Sequence, residues 1–132
     1  MKQASCEERI GAELESTLAT LRDLWELNCE DPEAYHPEHG TNFSEYGLCF
    51  DYVEPGTFGD QQEQGYFRYQ LSWGGPSDEF RFFVDWEGDP YKIEYWFMDW
   101  FDGASRTLYS QDEALLGEIF RDFKGMGMCE HA

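Results

Sequence analysis

The residues that could do chemistry in this 132-residue chain are almost all carboxylates. It holds 28 Asp and Glu against 9 Lys and Arg, a net charge of −19, so two acids close in sequence say little by themselves. Asp99 and Asp102 lie among Trp96 and Trp100, an arrangement that could imitate the acid–base pair of a glycosidase cleft. A small meander leaves little room for such a cleft, and catalysis needs a pocket with a positioned acid and base. Asp85-Trp86-Glu87-Gly88-Asp89 has calcium-type donors but lacks the longer register and terminal Glu of an EF-hand loop. His36-Pro37-Glu38-His39 is shorter than His-Glu-x-x-His and contains a proline, and a metal needs three or four ligands on a rigid frame. Phosphate-cradling glycine loops and a nucleophile elbow are missing from the sequence. The expectation is a non-enzyme without metal or cofactor.

Cys6, Cys29, Cys49 and Cys129 are far apart and form no Cys-x-x-Cys pair. The opening residues have no apolar run, and apolar stretches elsewhere are short and broken by charge. These features predict reduced thiols in a cytoplasmic protein, with Cys49 a buried, inert thiol.

The elements that must position the acids follow from periodicity. Ser5 and Glu8 form a capping box. Ile10, Leu14, Leu18, Leu21 and Trp25 then recur at helical spacing, and Pro32 ends the helix near Asn28 to Glu30. Glu30 to Ser44 reads as a loop, Tyr46 to Val53 as the first strand, and Glu54 to Gly65 as a polar connection. Between Tyr66 and Gly103 alternation is dense: Phe67, Tyr69, Leu71 and Trp73 share one face, as do Phe80, Phe82, Val84 and Trp86, and then Tyr91, Ile93, Tyr95 and Phe97. Asp102-Gly103-Ala104-Ser105 reads as a turn. Ser110 with Glu113 reads as a second capping box, opening a helix that carries Leu115, Leu116, Ile119, Phe120 and Phe123 and stops at Gly125. The predicted fold is α+β: an antiparallel meander of about four strands flanked by an N-terminal and a C-terminal helix. It is one domain, 1–132, with 1–4 and 126–132 as mobile ends.

Charge carries the functional reading. Residues 1–45 hold 11 acids and 3 bases, residues 46–109 hold 12 and 4, and residues 110–132 hold 5 and 2. The folded body itself is therefore the anion, not an acidic tail. Such a surface repels nucleic acid and anionic membranes and favours basic partners, many of which are nucleic-acid-binding sites. Duplex DNA presents one charge per roughly 1.7 Å of axis. A strand places residues i and i+2 on one face about 6.6 Å apart, so Asp85, Glu87 and Asp89 match a phosphate row if the strand persists. Glu94 and Asp102 lie with them around the last strands. Asp23, Glu26 and Glu30 line one side of the first helix. These eight acids are the expected partner-binding set. The two rival readings are an immunity protein that plugs a basic toxin nuclease and an aromatic-surface module for a small ligand.

In size, acidity and aromatic content the chain resembles the small acidic anti-CRISPR and anti-restriction proteins of phages and integrative elements. Tyr66–Phe83 and Glu94–Ala104, with Leu-Ser-Trp-Gly-Gly-Pro-Ser-Asp-Glu-Phe-Arg-Phe-Phe and Trp-Phe-Met-Asp-Trp-Phe-Asp-Gly-Ala, look like a family of uncharacterised proteins from such elements. The resemblance implies a DNA mimic in the cytoplasm of a bacterial host. It would block the basic DNA-binding surface of a CRISPR effector or restriction enzyme.

Overall fold

The computed structural model describes residues 5–74, 76–99 and 102–127. Residues 1–4 and 128–132, most of the expected mobile ends, lie outside these, as do Trp100 and Phe101 of the expected last strand. Helix α1 runs Cys6–Glu30. It starts where the capping box places it: the Glu8 N–H donates to Ser5 Oγ at 3.2 Å, and the Ser5 hydroxyl donates to Glu8 Oε1 at 3.1 Å. Its apolar stripe buries Cys6, Ile10, Leu18, Leu21 and Leu24.

A short helix α2, Phe43–Tyr46, stands where a loop and the start of a strand were expected. The Asn42 side chain caps it by accepting the Glu45 N–H at 2.9 Å, and Asn-x-x-Glu is the capping signature that betrays it. Strand β1 therefore begins later, at Cys49, and ends at Val53. The sheet continues with β2 Tyr66–Ser72, β3 Ser77–Val84, β4 Pro90–Asp99 and β5 Asp102–Thr107. It is an open antiparallel meander in the order β1-β2-β3-β4-β5. The fifth strand replaces the turn expected at Asp102-Gly103-Ala104-Ser105: Gly103 pairs with Met98 and Ser105 with Trp96. Turn-type residues are tolerated there because β5 is an edge strand, packed against α1.

Helix α3, Ser110–Gly125, follows. Its expected capping box does not form. Tyr109 occupies the cap position without a side-chain bond, and Ser110 sits in the left-handed region at φ 54°. At the other end Gly125 is the last helical residue, Met126 is the cap, and Gly127 takes the left-handed conformation at φ 81°.

Helices α1 and α3 share one core with a single face of the sheet, formed by Phe67, Tyr69, Leu71, Phe80, Phe82, Ile93, Tyr95 and Phe97. Phe120 of α3 lies 5.0 Å from Phe82 and 5.6 Å from Phe67, and Phe123 lies 4.5 Å from Phe50, measured between ring centroids. Each such ring contributes roughly 1.5–3 kcal/mol by leaving water. Trp73 and Trp86 were expected on this face, but the strands end before them and they are 77% and 91% exposed.

The opposite face covers itself. Arg68 makes a two-pronged contact to Asp51 at 3.0 and 2.7 Å. Arg81 lies 3.9 Å over the Trp96 ring and 4.7 Å over Tyr66, with its Nε 2.7 Å from Glu79. Lys92 Nζ lies 4.3 Å over the Phe83 ring, so cationic side chains cover Tyr66 and Phe83, which with Val53 form the second, smaller cluster.

Candidate acidic interface

Four of the five acids expected around the last strands, Asp85, Asp89, Glu94 and Asp102, have work to do inside the fold, whereas Glu87 is exposed. The strand does not persist through Asp85, Glu87 and Asp89, because β3 stops at Val84 and Gly88 turns the chain at φ 85°. Asp85 Oδ1 accepts the N–H groups of Glu87 at 2.9 Å and Asp89 at 3.1 Å, closing an Asx-type turn. The extended row of three carboxylates is thus a compact loop, and Asp89 lies 3.6 Å from Lys124. Glu94 accepts the Trp96 indole N–H at 3.0 Å on the self-covered face.

Asp102 accepts the Cys6 backbone N–H at 2.7 Å, so it satisfies an orphan donor in the first turn of α1 from 96 residues away. That bond holds its carboxyl below the ordinary carboxylate range. Arg9 reaches Asp99 at 2.7 Å beside it. The turn-like sequence at Asp102 hides this role, since the partner is distant in the chain.

The second group behaves differently. Six Lys and Arg side chains among the described residues are held in ion pairs: Arg9, Arg22, Arg68, Arg81, Arg106 and Lys124. None of those pairs includes Glu26 or Glu30, which are exposed on α1. The last turn of α1 contains no base. Exposed Asp31, Glu33, Glu38 and Glu45 continue the acidity past the helix end. Carboxylates here meet the negative end of the helix dipole. The other helix ends follow the favourable rule: α1 opens with Glu7 and Glu8, α3 opens with Asp112 and Glu113, and α3 closes with Lys124.

Two further features lie at this end of the molecule. A cavity of about 470 Å³ is lined by Asn28 and Pro32, by Phe43, Leu48 and Phe50, and by Tyr69 and Phe123. Gly47 shapes it, because a Cβ there would collide with the Tyr69 ring. Cys49, expected to be buried, is exposed at this rim; it sits at the start of the edge strand, on the face away from the helices.

The second feature is Asp23, the remaining member of the predicted helical row. Its Oδ2 lies 3.0 Å from His39 Nε2, and His36 stands beside both. The His-Pro-Glu-His segment taken alone offers two donors that could hold a metal, and a third, Asp23, comes from helix α1. The chain matches no protein-family model, no curated protein and no solved structure.

Proposed function

We propose that this chain is a non-catalytic inhibitor that imitates the charge of DNA and occupies a basic DNA-binding surface of a bacterial defence complex, a CRISPR effector or a restriction enzyme. The observation that carries the reading is the C-terminal end of α1. There Glu26 and Glu30 are exposed, one turn apart, with no base in the last turn. Their positions differ by about 6 Å along the axis at 1.5 Å per residue. Local electrostatics disfavours acids at this place, and departures from local rules concentrate at functional sites. The rest of the surface supplies the long-range part. With most bases held by internal partners, the excess of 19 negative charges is left to steer a basic partner inward. Arg and Lys that normally hold phosphates would pair with these carboxylates.

The test is competition. A purified effector or restriction enzyme is bound to labelled duplex DNA, and the chain is titrated in at several salt concentrations. The chain should displace the DNA, less effectively as salt rises, and Glu26→Lys with Glu30→Lys should abolish displacement. Displacement that is indifferent to salt and to both substitutions would overturn the reading.

A further inference from the structure

The loop after α1 holds two imidazoles in a fixed relation. The His36 N–H donates to the Thr41 carbonyl at 2.8 Å, and the Gly40 N–H donates to the His36 carbonyl at 2.8 Å. Gly40 permits this closed turn by adopting φ 67°. The result places the His36 and His39 rings 4.6 Å apart, tilted by 34°. Asp23 reaches in from α1, and one donor atom from each of the three side chains lies within 4.8 Å of the other two. All three residues are half-buried, so the cluster has walls on the helix side and remains open to solvent.

We propose that Asp23, His36 and His39 bind a single divalent cation of the zinc class, which clips the loop 31–42 to the last turns of α1. Two imidazoles and one carboxylate suit zinc, cobalt, nickel or copper, whereas magnesium and calcium prefer oxygen donors alone. Zinc–ligand bonds of about 2.0–2.2 Å place tetrahedral donor atoms about 3.3 Å apart. His39 and Asp23 already stand at 3.0 Å. Rotation of the His36 ring brings in the third donor.

That rotation has an identifiable consequence. His36 Nδ1 accepts the Glu38 N–H at 3.2 Å. When the ring gives a lone pair to the metal this contact is released, and the Glu38 N–H, on an exposed residue, passes to water. The fourth position is left to water, as in open zinc sites. The surrounding acids favour the ion further: Glu26, Glu30 and Glu38 add negative charge next to the C-terminal pole of the helix.

The test uses the full chain, stripped with chelator and kept in phosphine reductant and moderate salt. Zinc chloride titrated in a calorimeter should bind with one ion per chain, raise the thermal midpoint, and persist in excess magnesium. His36→Asn with His39→Asn, and separately Asp23→Asn, should weaken binding at least about tenfold. Replacement of Cys29, Cys49 and Cys129 by Ser should leave it unchanged. Cobalt added to the unmutated chain should broaden the ring-proton signals of His36 and His39 and spare those of His131, which guards against a variant that fails to fold. The proposal is overturned if zinc does not saturate or if magnesium displaces it. It is equally overturned if binding survives the histidine substitutions, follows the cysteines, or broadens His131 alone. Its failure would leave the DNA-mimic reading intact, since that reading uses Glu26 and Glu30 without a metal.

Discussion

Replacing Glu30 by Gln should make the free protein more stable and the inhibitor weaker. Glu30 lies one turn beyond Glu26 at the end of α1, whose last turn contains no base. Like charges at i and i+4 on a helix cost about 0.2–0.5 kcal/mol, and an acid at a helix C-terminus costs about 0.3–1 kcal/mol at low salt. Gln and Glu have nearly equal helix propensity, so little else changes. The expected gain is roughly 0.5–1.5 kcal/mol, or about 2–6 °C in thermal midpoint for a domain of this size. Calorimetry or circular dichroism at low ionic strength reads it directly. The gain should shrink as salt is raised, because the Debye length falls to about 3 Å at 1 M. Asp112→Asn provides the opposite case: Asp112 lies in the first turn of α3 and 3.2 Å from Arg22, so its loss should lower the midpoint. In the DNA-displacement assay Glu30→Gln should weaken inhibition while Asp112→Asn leaves it nearly unchanged. A Glu30→Gln chain that melts at or below the parent at low salt would show that the α1 end carries no electrostatic conflict. The proposed interface would then lose its main support.

Two of the buried tyrosines of the sheet, Tyr95 and Tyr66, should respond in opposite ways. Tyr95 donates its hydroxyl to Asp78 at 2.7 Å, so Tyr95→Phe should cost about 1.5–3 kcal/mol in denaturant unfolding, as hydrogen bonds to charged groups do. Tyr66 is 1% exposed and its hydroxyl has no hydrogen-bond partner among the described residues, so Tyr66→Phe should be neutral or stabilising in the same assay. Phe120→Ala should cost about 3–5 kcal/mol, since this ring is fully buried against Phe67 and Phe82. Asp102 gives a pH signature: its folded pKa is depressed by the Cys6 N–H, so its contribution is present above the ordinary carboxylate range and is lost as pH falls through the lowered value. Asp102→Asn should flatten that part of the stability–pH curve measured by thermal melting.

The parts of the fold that a sequence discloses are those whose cause is local. The α1 stripe, its Ser5–Glu8 cap and the alternation of β2, β3 and β4 each depend on residues a few positions apart, and they are where the spacing puts them. Alternation gives the face of a residue but not where the strand stops, which is why Trp73 and Trp86 seemed inward and are exposed. The strand β5 shows the limit from the other side. Asp102-Gly103 has turn chemistry, and only pairing with β4 and packing on α1 make it a strand.

The same limit governs the acids. Composition establishes that the surface is anionic, but not which carboxylates are already engaged, because their partners are distant in sequence: Asp102 with Cys6, Asp99 with Arg9, Asp89 with Lys124. Asp23, Glu26 and Glu30 were legible as a row because a helix repeats every 3.6 residues. What the row faces, the His36–His39 loop, came only with the tertiary fold. An acid that caps a helix or closes a turn is explained by the fold that it serves. Glu26 and Glu30 have no such explanation: they oppose the dipole of the helix that carries them, and the two arginines of that helix, Arg9 and Arg22, are paired with Asp99 and Asp112. Stability alone would favour a Lys or Arg in that last turn, as at Lys124 in α3. Acids at that position make physical sense if the positive charge they answer arrives from outside the chain.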